Sequence, residues 1–203
     1  MTTLAQALLP LHRGYLRRLD EMAGRIGDGA LLREPTTRDE SRKLVRHPSG
    51  FVLRFDLADS RSGETFEVHG ARPDEPAGRE VRVGELIFLL EPGNWEELTL
   101  RCVFTAVPGE EDAAGLAELL HGWAVLAAHG GFSARGEADA GRWTGRLHSA
   151  VVRLDGSEMV AELDLGTCPP AAFDALGEAL AAFAADRAPL ARVVIGAARR
   201  KDS

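Results

Sequence analysis

The stretch from Arg146 to Arg187 constrains the fold most strongly, because two strand patterns and one helix pattern follow one another there. Residues 147–154 (LHSAVVRL) and 158–165 (EMVAELDL) are rich in strand-forming residues, and the dipeptide Asp155-Gly156 between them is typical of a tight type I′ turn. Residues 169–187 then begin with two prolines, which suit a first helical turn. Their large apolar residues recur at steps of three and four: Phe173, Leu176, Leu180 and Phe183. We therefore expect a β-hairpin followed by a helix that packs on a sheet.

The remainder of the chain predicts two further helices and four further strands. Apolar residues at helical spacing fill residues 4–26 and 110–130, and strand patterns occupy the region between them. The charge-dense segment 30–50 has no clear period and is predicted to be a linker or a mobile flap. The predicted strands are 51–57, 65–69, 81–90 and 98–107, with residues 193–195 as a possible last strand.

These elements predict a single α+β domain over residues 1–203, with the order αββββαββα. We expect one antiparallel sheet, in which a four-strand meander and the hairpin lie together, with helices packed on one face. The predicted parts are an N-terminal helix (1–29), a charged connector (30–50), a strand meander (51–107) and a helix-hairpin-helix half (108–196).

The alternative fold is a ferredoxin-like βαββαβ unit over residues 98–196, preceded by an N-terminal extension. In that unit the first strand lies between the third and the fourth, so strand 98–107 would have no edge left for strand 81–90. We prefer the local hairpin between these two strands, because strands adjacent in sequence usually lie side by side.

The charge balance bears on the kind of partner that the protein attracts. Acidic residues outnumber basic ones by 31 to 24, which gives a net charge of −7. This disfavours a nucleic-acid partner and favours a basic one. The N-terminus lacks the basic start and continuous apolar run of a signal peptide, and no window is apolar enough for a membrane span. We therefore predict a cytoplasmic protein without a membrane partner.

Motifs that carry chemistry are not found in the sequence. The six histidines include no HxxxH or HxH pair, and Cys102 and Cys168 fit no metal-binding spacing. There is no phosphate loop, no GxGxxG fingerprint and no GxSxG elbow. We therefore predict no metal, no cofactor and no catalytic residue, and we favour a non-enzymatic function.

Two tryptophans in polar, turn-rich segments are candidate partner-binding residues. Trp95 lies in the turn PGNWEE, and Trp143 lies in the Gly-rich segment AGRWTG between Arg142 and Arg146. Such a tryptophan either folds back as a lid on the core or forms an interface hot spot together with nearby arginines. The candidate patch therefore consists of Trp95, Arg142, Trp143 and Arg146.

The section from Glu110 to Arg187 resembles the second half of type III secretion chaperones and the related YbjN-like proteins. The resemblance lies in the order of elements and in their apolar spacing: LAELL in one helix, the hairpin VVRLDGSEMVAEL, and the helix FDALGEALAAFAA. It implies an acidic, dimeric, non-enzymatic protein that holds another protein. It transfers no particular binding residue.

Three functional hypotheses follow. The first is a protein that shields or neutralises a partner, either as a secretion chaperone holds an effector or as an immunity protein holds a toxin. The alternative is a small enzyme or ligand-binding domain that uses a cleft between connectors 70–79 and 133–145, with His69 or His148 as the acid/base. The third is a structural subunit of a larger assembly. Homodimerisation is a further prediction, because the sheet is expected to have open edges.

Overall fold

The computed structural model describes residues 2–32, 56–68, 79–133 and 145–197. Three helices and nine strands lie within these ranges, so the expected mixture of helices and sheet is confirmed. The helices are α1 (Leu4–Ile26), α2 (Glu110–Ala128) and α3 (Ala171–Asp186). The strands are β1 (Ala30–Leu32), β2 (Leu57–Asp59), β3 (Thr65–Phe66), β4 (Arg79–Val83), β5 (Leu86–Leu90), β6 (Leu98–Phe104), β7 (Ser149–Asp155), β8 (Glu158–Asp164) and β9 (Leu190–Ala197).

The strands form two sheets, one of which contains a parallel pair, so the expected single antiparallel sheet is wrong. The main sheet has six strands in the order β4-β5-β9-β6-β8-β7, and the small sheet has three in the order β1-β2-β3. The pair β5–β9 is parallel, and every other neighbouring pair in the main sheet is antiparallel. The hairpin predicted at Asp155-Gly156 is present as β7 and β8, with Gly156 at a φ of 61°.

The expected pairing of strand 81–90 with strand 98–107 is wrong. The segment 81–90 contains two strands, because the chain reverses at Gly84, whose φ of 57° suits glycine. Strand β9 then lies between β5 and β6 and pairs with both of them. Its run Val193–Ile195 is buried, so the central position removes these apolar side chains from water on both faces of the sheet. The order β9-β6-β8-β7 is that of the βαββαβ unit considered as the alternative fold.

All three helices pack against one face of the main sheet. Alternate residues of β6 point into this core, and they meet buried side chains from each helix. The anchors include Leu98, Leu100, Cys102 and Phe104 from β6, Tyr15 and Leu19 from α1, Leu116 and Leu120 from α2, and Phe173 and Leu176 from α3. Each such side chain stabilises the fold by roughly 1.5–3 kcal/mol on burial.

The N-terminal helix is fixed at its first turn. Thr3 caps the helix and forms a capping box with Gln6. The backbone N–H of Ala5 donates to the carboxylate of Asp174 on α3 at 2.9 Å. A Cβ at Gly177 would lie 2.6 Å from Leu4, so this glycine allows α1 and α3 to approach closely.

The two cysteines are free and buried. Burial raises the pKa of each thiol to about 12, so both remain protonated at neutral pH. Within the described residues, no helix combines the length and the apolar character needed to cross a membrane.

Candidate functional site

Trp95 does not belong to an exposed patch, because the structure buries its side chain to 1% exposure. It lies in a 3₁₀ turn (Trp95–Glu97) just before β6. Its indole N–H donates to the carbonyl of Gly166 at 3.0 Å, and its ring packs against His12 and Phe173 with centroid distances of 5.1 and 5.9 Å. The sequence was compatible with a tryptophan that covers the core and with one that forms an interface. The structure shows that Trp95 covers the core.

Of the other three candidate residues, only Arg146 lies within the described part of the chain. Arg146 is exposed, and its backbone N–H donates to the hydroxyl of Thr167 at 3.2 Å. Arg146 therefore meets the 165–168 turn from outside, whereas Trp95 meets the same turn from the core. Arg142 and Trp143 lie outside the described residues.

His148, the described member of the proposed acid/base pair, is buried between two carboxylates. Its side chain is 1% exposed, and its Nδ1 lies 3.7 Å from an Asp56 oxygen and 3.5 Å from an Asp164 oxygen. The hydroxyl of Tyr15 donates to Asp56 at 2.8 Å, and the backbone N–H of Val68 donates to its other oxygen at 2.6 Å. This network joins α1, the small sheet and the main sheet.

The position of His148 argues for a structural role. A Cβ on Gly166 would overlap the imidazole, so the ring is enclosed by the 165–168 turn as well as by the carboxylates. With its side chain only 1% exposed, the ring offers a substrate very little access from solvent. His69 and most of connectors 70–79 and 133–145 lie outside the described residues.

A second, half-buried histidine lies on α1. Burial lowers the pKa of His12 to about 4, against a smaller opposite effect of a hydrogen bond with the backbone of Thr167. The folded state therefore favours the neutral ring, which packs edge-on against Trp95.

The face of the main sheet opposite the helices has a different character from the core. We call it the helix-free face, because each described helix packs on the other side. At its centre Arg101 is 6% exposed and lies in register between Val160 and Val194. The guanidinium bonds Glu91 at 3.0 Å and lies 3.9 Å from Glu158. The valines cover the aliphatic part of the arginine, while the carboxylates satisfy its charge.

A groove of about 470 Å³ crosses this face towards the β7 edge of the sheet. We call it the acidic groove, because four carboxylate side chains and no basic ones line it. Its lining consists of Glu96, Glu97, Leu98, Thr99, Ser149, Val151, Glu162, Leu163 and Asp164. One of the carboxylates, Glu162, is bonded to Arg153 at 3.3 Å from the hairpin side.

Sequence reasoning missed this groove, although a signal for it existed. The alternation in the hairpin places Glu158, Glu162 and Asp164 on one side of β8, opposite the apolar residues of the core. Their convergence with Glu96 and Glu97 depends on the pairing of β6 with β8, which only the alternative fold implied.

Neither the described side chains nor the comparisons with known proteins assign a function to this chain. Among the residues that the structure describes, no group of three or more His, Cys, Asp or Glu side chains is arranged to hold a metal ion. Comparisons with protein-family models, with curated proteins and with solved structures found no significant match. The resemblance to secretion chaperones therefore stays an expectation.

Proposed function

We propose that this protein is a non-enzymatic binding protein that shields or neutralises a partner protein through its helix-free face. The observation that carries the proposal is the acidic groove, which opens on that face and has the exposed carboxylates of Glu97 and Glu162 next to the exposed Val151. The proposal includes both a secretion-chaperone-like holder of an effector and an immunity protein bound to a toxin. It places this activity in the cytoplasm.

Charge determines the kind of partner surface that this face fits. The groove is acidic within a chain whose net charge is already −7, so a basic segment is attracted both locally and at long range. The exposed side chain of Val151 beside the carboxylates supplies apolar contact area. The groove therefore offers both charge and apolar contact area to a partner.

The proposal is tested by recovering the native partner and rebinding it as a purified protein. Cross-linking in the native host identifies candidates, and calorimetry with purified components gives the stoichiometry and Kd. Glu97→Lys reverses one exposed groove charge, and Glu118→Lys makes the same change on the exposed side of α2. We expect Glu97→Lys to weaken binding by about tenfold or more and Glu118→Lys to leave it nearly unchanged.

Two results would count against the proposal. One is that no candidate rebinds stoichiometrically in purified form. The other is that Glu97→Lys and Glu118→Lys weaken binding equally, since the groove would then have no special part in it.

A further inference from the structure

The two edges of the main sheet differ in how they are protected. Natural edge strands avoid pairing with other chains by carrying charged side chains. Strand β4 does this along its length, because Arg79, Glu80 and Arg82 are all exposed, and Glu80 and Arg82 form an ion pair at 3.0 Å. Within the described residues, no strand pairs with the outer side of β4 or with that of β7.

Strand β7 has charged residues only at its hairpin end. Arg153 bonds Asp155 at 3.0 Å there, and it also bonds Glu162 on the neighbouring strand. The other half, Ser149–Val152, carries no charge, and the side chain of Val151 is 53% exposed. This half of the edge is therefore the more open template for an added strand.

The acidic groove lies beside that uncharged half. Ser149 is opposite Asp164 on β8, and Val151 is opposite Glu162, which is itself opposite Thr99 on β6. All five side chains line the groove. A strand added outside β7 would place one further residue beside Ser149 and another beside Val151, in line with their cross-strand neighbours. A lysine or arginine in such a position can lie across the small Ser149 or Val151 side chain towards the carboxylates.

We propose that the edge Ser149–Val152 binds an extended basic segment of the partner as an added β-strand, with alternate basic side chains directed into the acidic groove. This inference rests on the proposed function and specifies its mode of recognition. Main-chain hydrogen bonds supply affinity and the alternate side chains supply specificity, as in other cases of strand addition. A second copy of this chain is a poorer occupant, because it would bring the same carboxylates to the interface.

The test uses the full-length protein and defined peptides as probes. One peptide alternates lysine with threonine, and its matched control alternates glutamate with threonine. We expect the lysine peptide to bind at least about tenfold more tightly, and more weakly as salt is raised. Two further lysine peptides carry N-methyl groups on one or the other set of alternate backbone nitrogens. One of these should lose about tenfold in affinity, because its inward-facing main-chain donors are removed.

Amide hydrogen exchange locates the bound strand. We expect the lysine peptide to slow exchange within Ser149–Val152 by about tenfold, while amides of β4 remain unchanged as an internal control. If neither peptide binds, or if binding changes no β7 amide and survives both methylation patterns, strand addition is wrong. The proposed function would still stand if the native partner rebinds through the groove.

Two other outcomes would also overturn the inference. If the outward β7 amides exchange slowly in the free protein at every concentration, another part of the chain occupies the edge. If their protection rises with protein concentration and light scattering gives a dimer mass, a second copy is the occupant.

Discussion

The two faces of the main sheet hide their central residues in different ways. On the core side, aromatic and aliphatic residues from three helices form a continuous apolar core. On the helix-free face, buried Val160 and Val194 flank an arginine that is held by two carboxylates. Apolar burial contributes most of the stability of a domain, whereas charged contacts contribute less and can change with the partner. The helix-covered face therefore contributes most of the stability of the domain, and the helix-free face is the one that we propose for recognition.

The largest effect is expected at the centre of the helix-covered face. Phe173 is fully buried, and its ring centroid lies 5.9 Å from that of Trp95 and 5.6 Å from that of Trp123. Phe173→Ala removes contacts with both tryptophans and leaves a cavity, so it should lower the free energy of unfolding by about 3–5 kcal/mol. Urea denaturation gives this value. Phe173→Leu is the matched control and should lose clearly less. Equal losses would show that the site collapses around the smaller side chain.

The next effect depends on pH and concerns His12. Because burial lowers its pKa from 6.5 to about 4, the unfolded chain binds a proton more readily than the folded one. The stability contributed by the neutral ring is fully present above pH 6.5 and is lost progressively as pH falls from 6.5 to about 4. The loss attributable to His12 approaches about 3 kcal/mol. His12→Phe keeps a ring against Trp95 and removes the titration.

The measurement compares free energies of unfolding for the wild-type protein and His12→Phe across this pH range. Carboxylates titrate in both proteins, so the difference between the two curves isolates the histidine. We expect that difference to shift in favour of the variant as pH falls from 6.5 to 4. Parallel curves would show that the ring is solvated in the folded state.

Local patterns in the sequence identified the elements, but not how distant elements meet. The Asp155-Gly156 turn and the spacing of Phe173 and Leu176 were enough to predict a hairpin and a helix, because neighbouring residues determine both. The pairing of β9 with β5 was missed, because parallel strands far apart in sequence carry no turn signal. Burial on both faces of Val193–Ile195 outweighed the preference for a local hairpin.

The candidate site shows the same limit. Trp95 follows three turn-forming residues and precedes two glutamates, a pattern equally typical of an exposed loop. Its burial depends on the carbonyl of Gly166 and the ring of Phe173, both of which lie far along the chain. The contact between the side chains of His148 and Asp56 likewise depends on how the small sheet packs against the main sheet. Only the alternation of acids along β8 was readable in advance.

A moderate effect is expected at the buried centre of the helix-free face. Arg101→Met keeps an unbranched chain between the two valines and removes the hydrogen bond to Glu91 and the ion pair with Glu158. Glu91 is half exposed and regains water, so we expect a loss of about 1–2 kcal/mol. Arg153→Met is the control on the same face, where the ion pairs are more exposed and should contribute less than about 1 kcal/mol. Similar losses of stability in the two variants would show that burial does not strengthen the ion pairs of Arg101.

The smallest effect should come from the exposed part of the helix-free face, and a matched pair of valines measures it. Val193 on β9 is fully buried against the helices, whereas Val151 on β7 is 53% exposed beside the acidic groove. Val193→Ala should cost about 2 kcal/mol, because buried methyl groups are lost and a cavity remains. Val151→Ala should change the free energy of unfolding by less than about 0.5 kcal/mol. If Val151→Ala were as costly as Val193→Ala, the edge beside the groove would be part of the core, and the assignment of recognition to this face would fail.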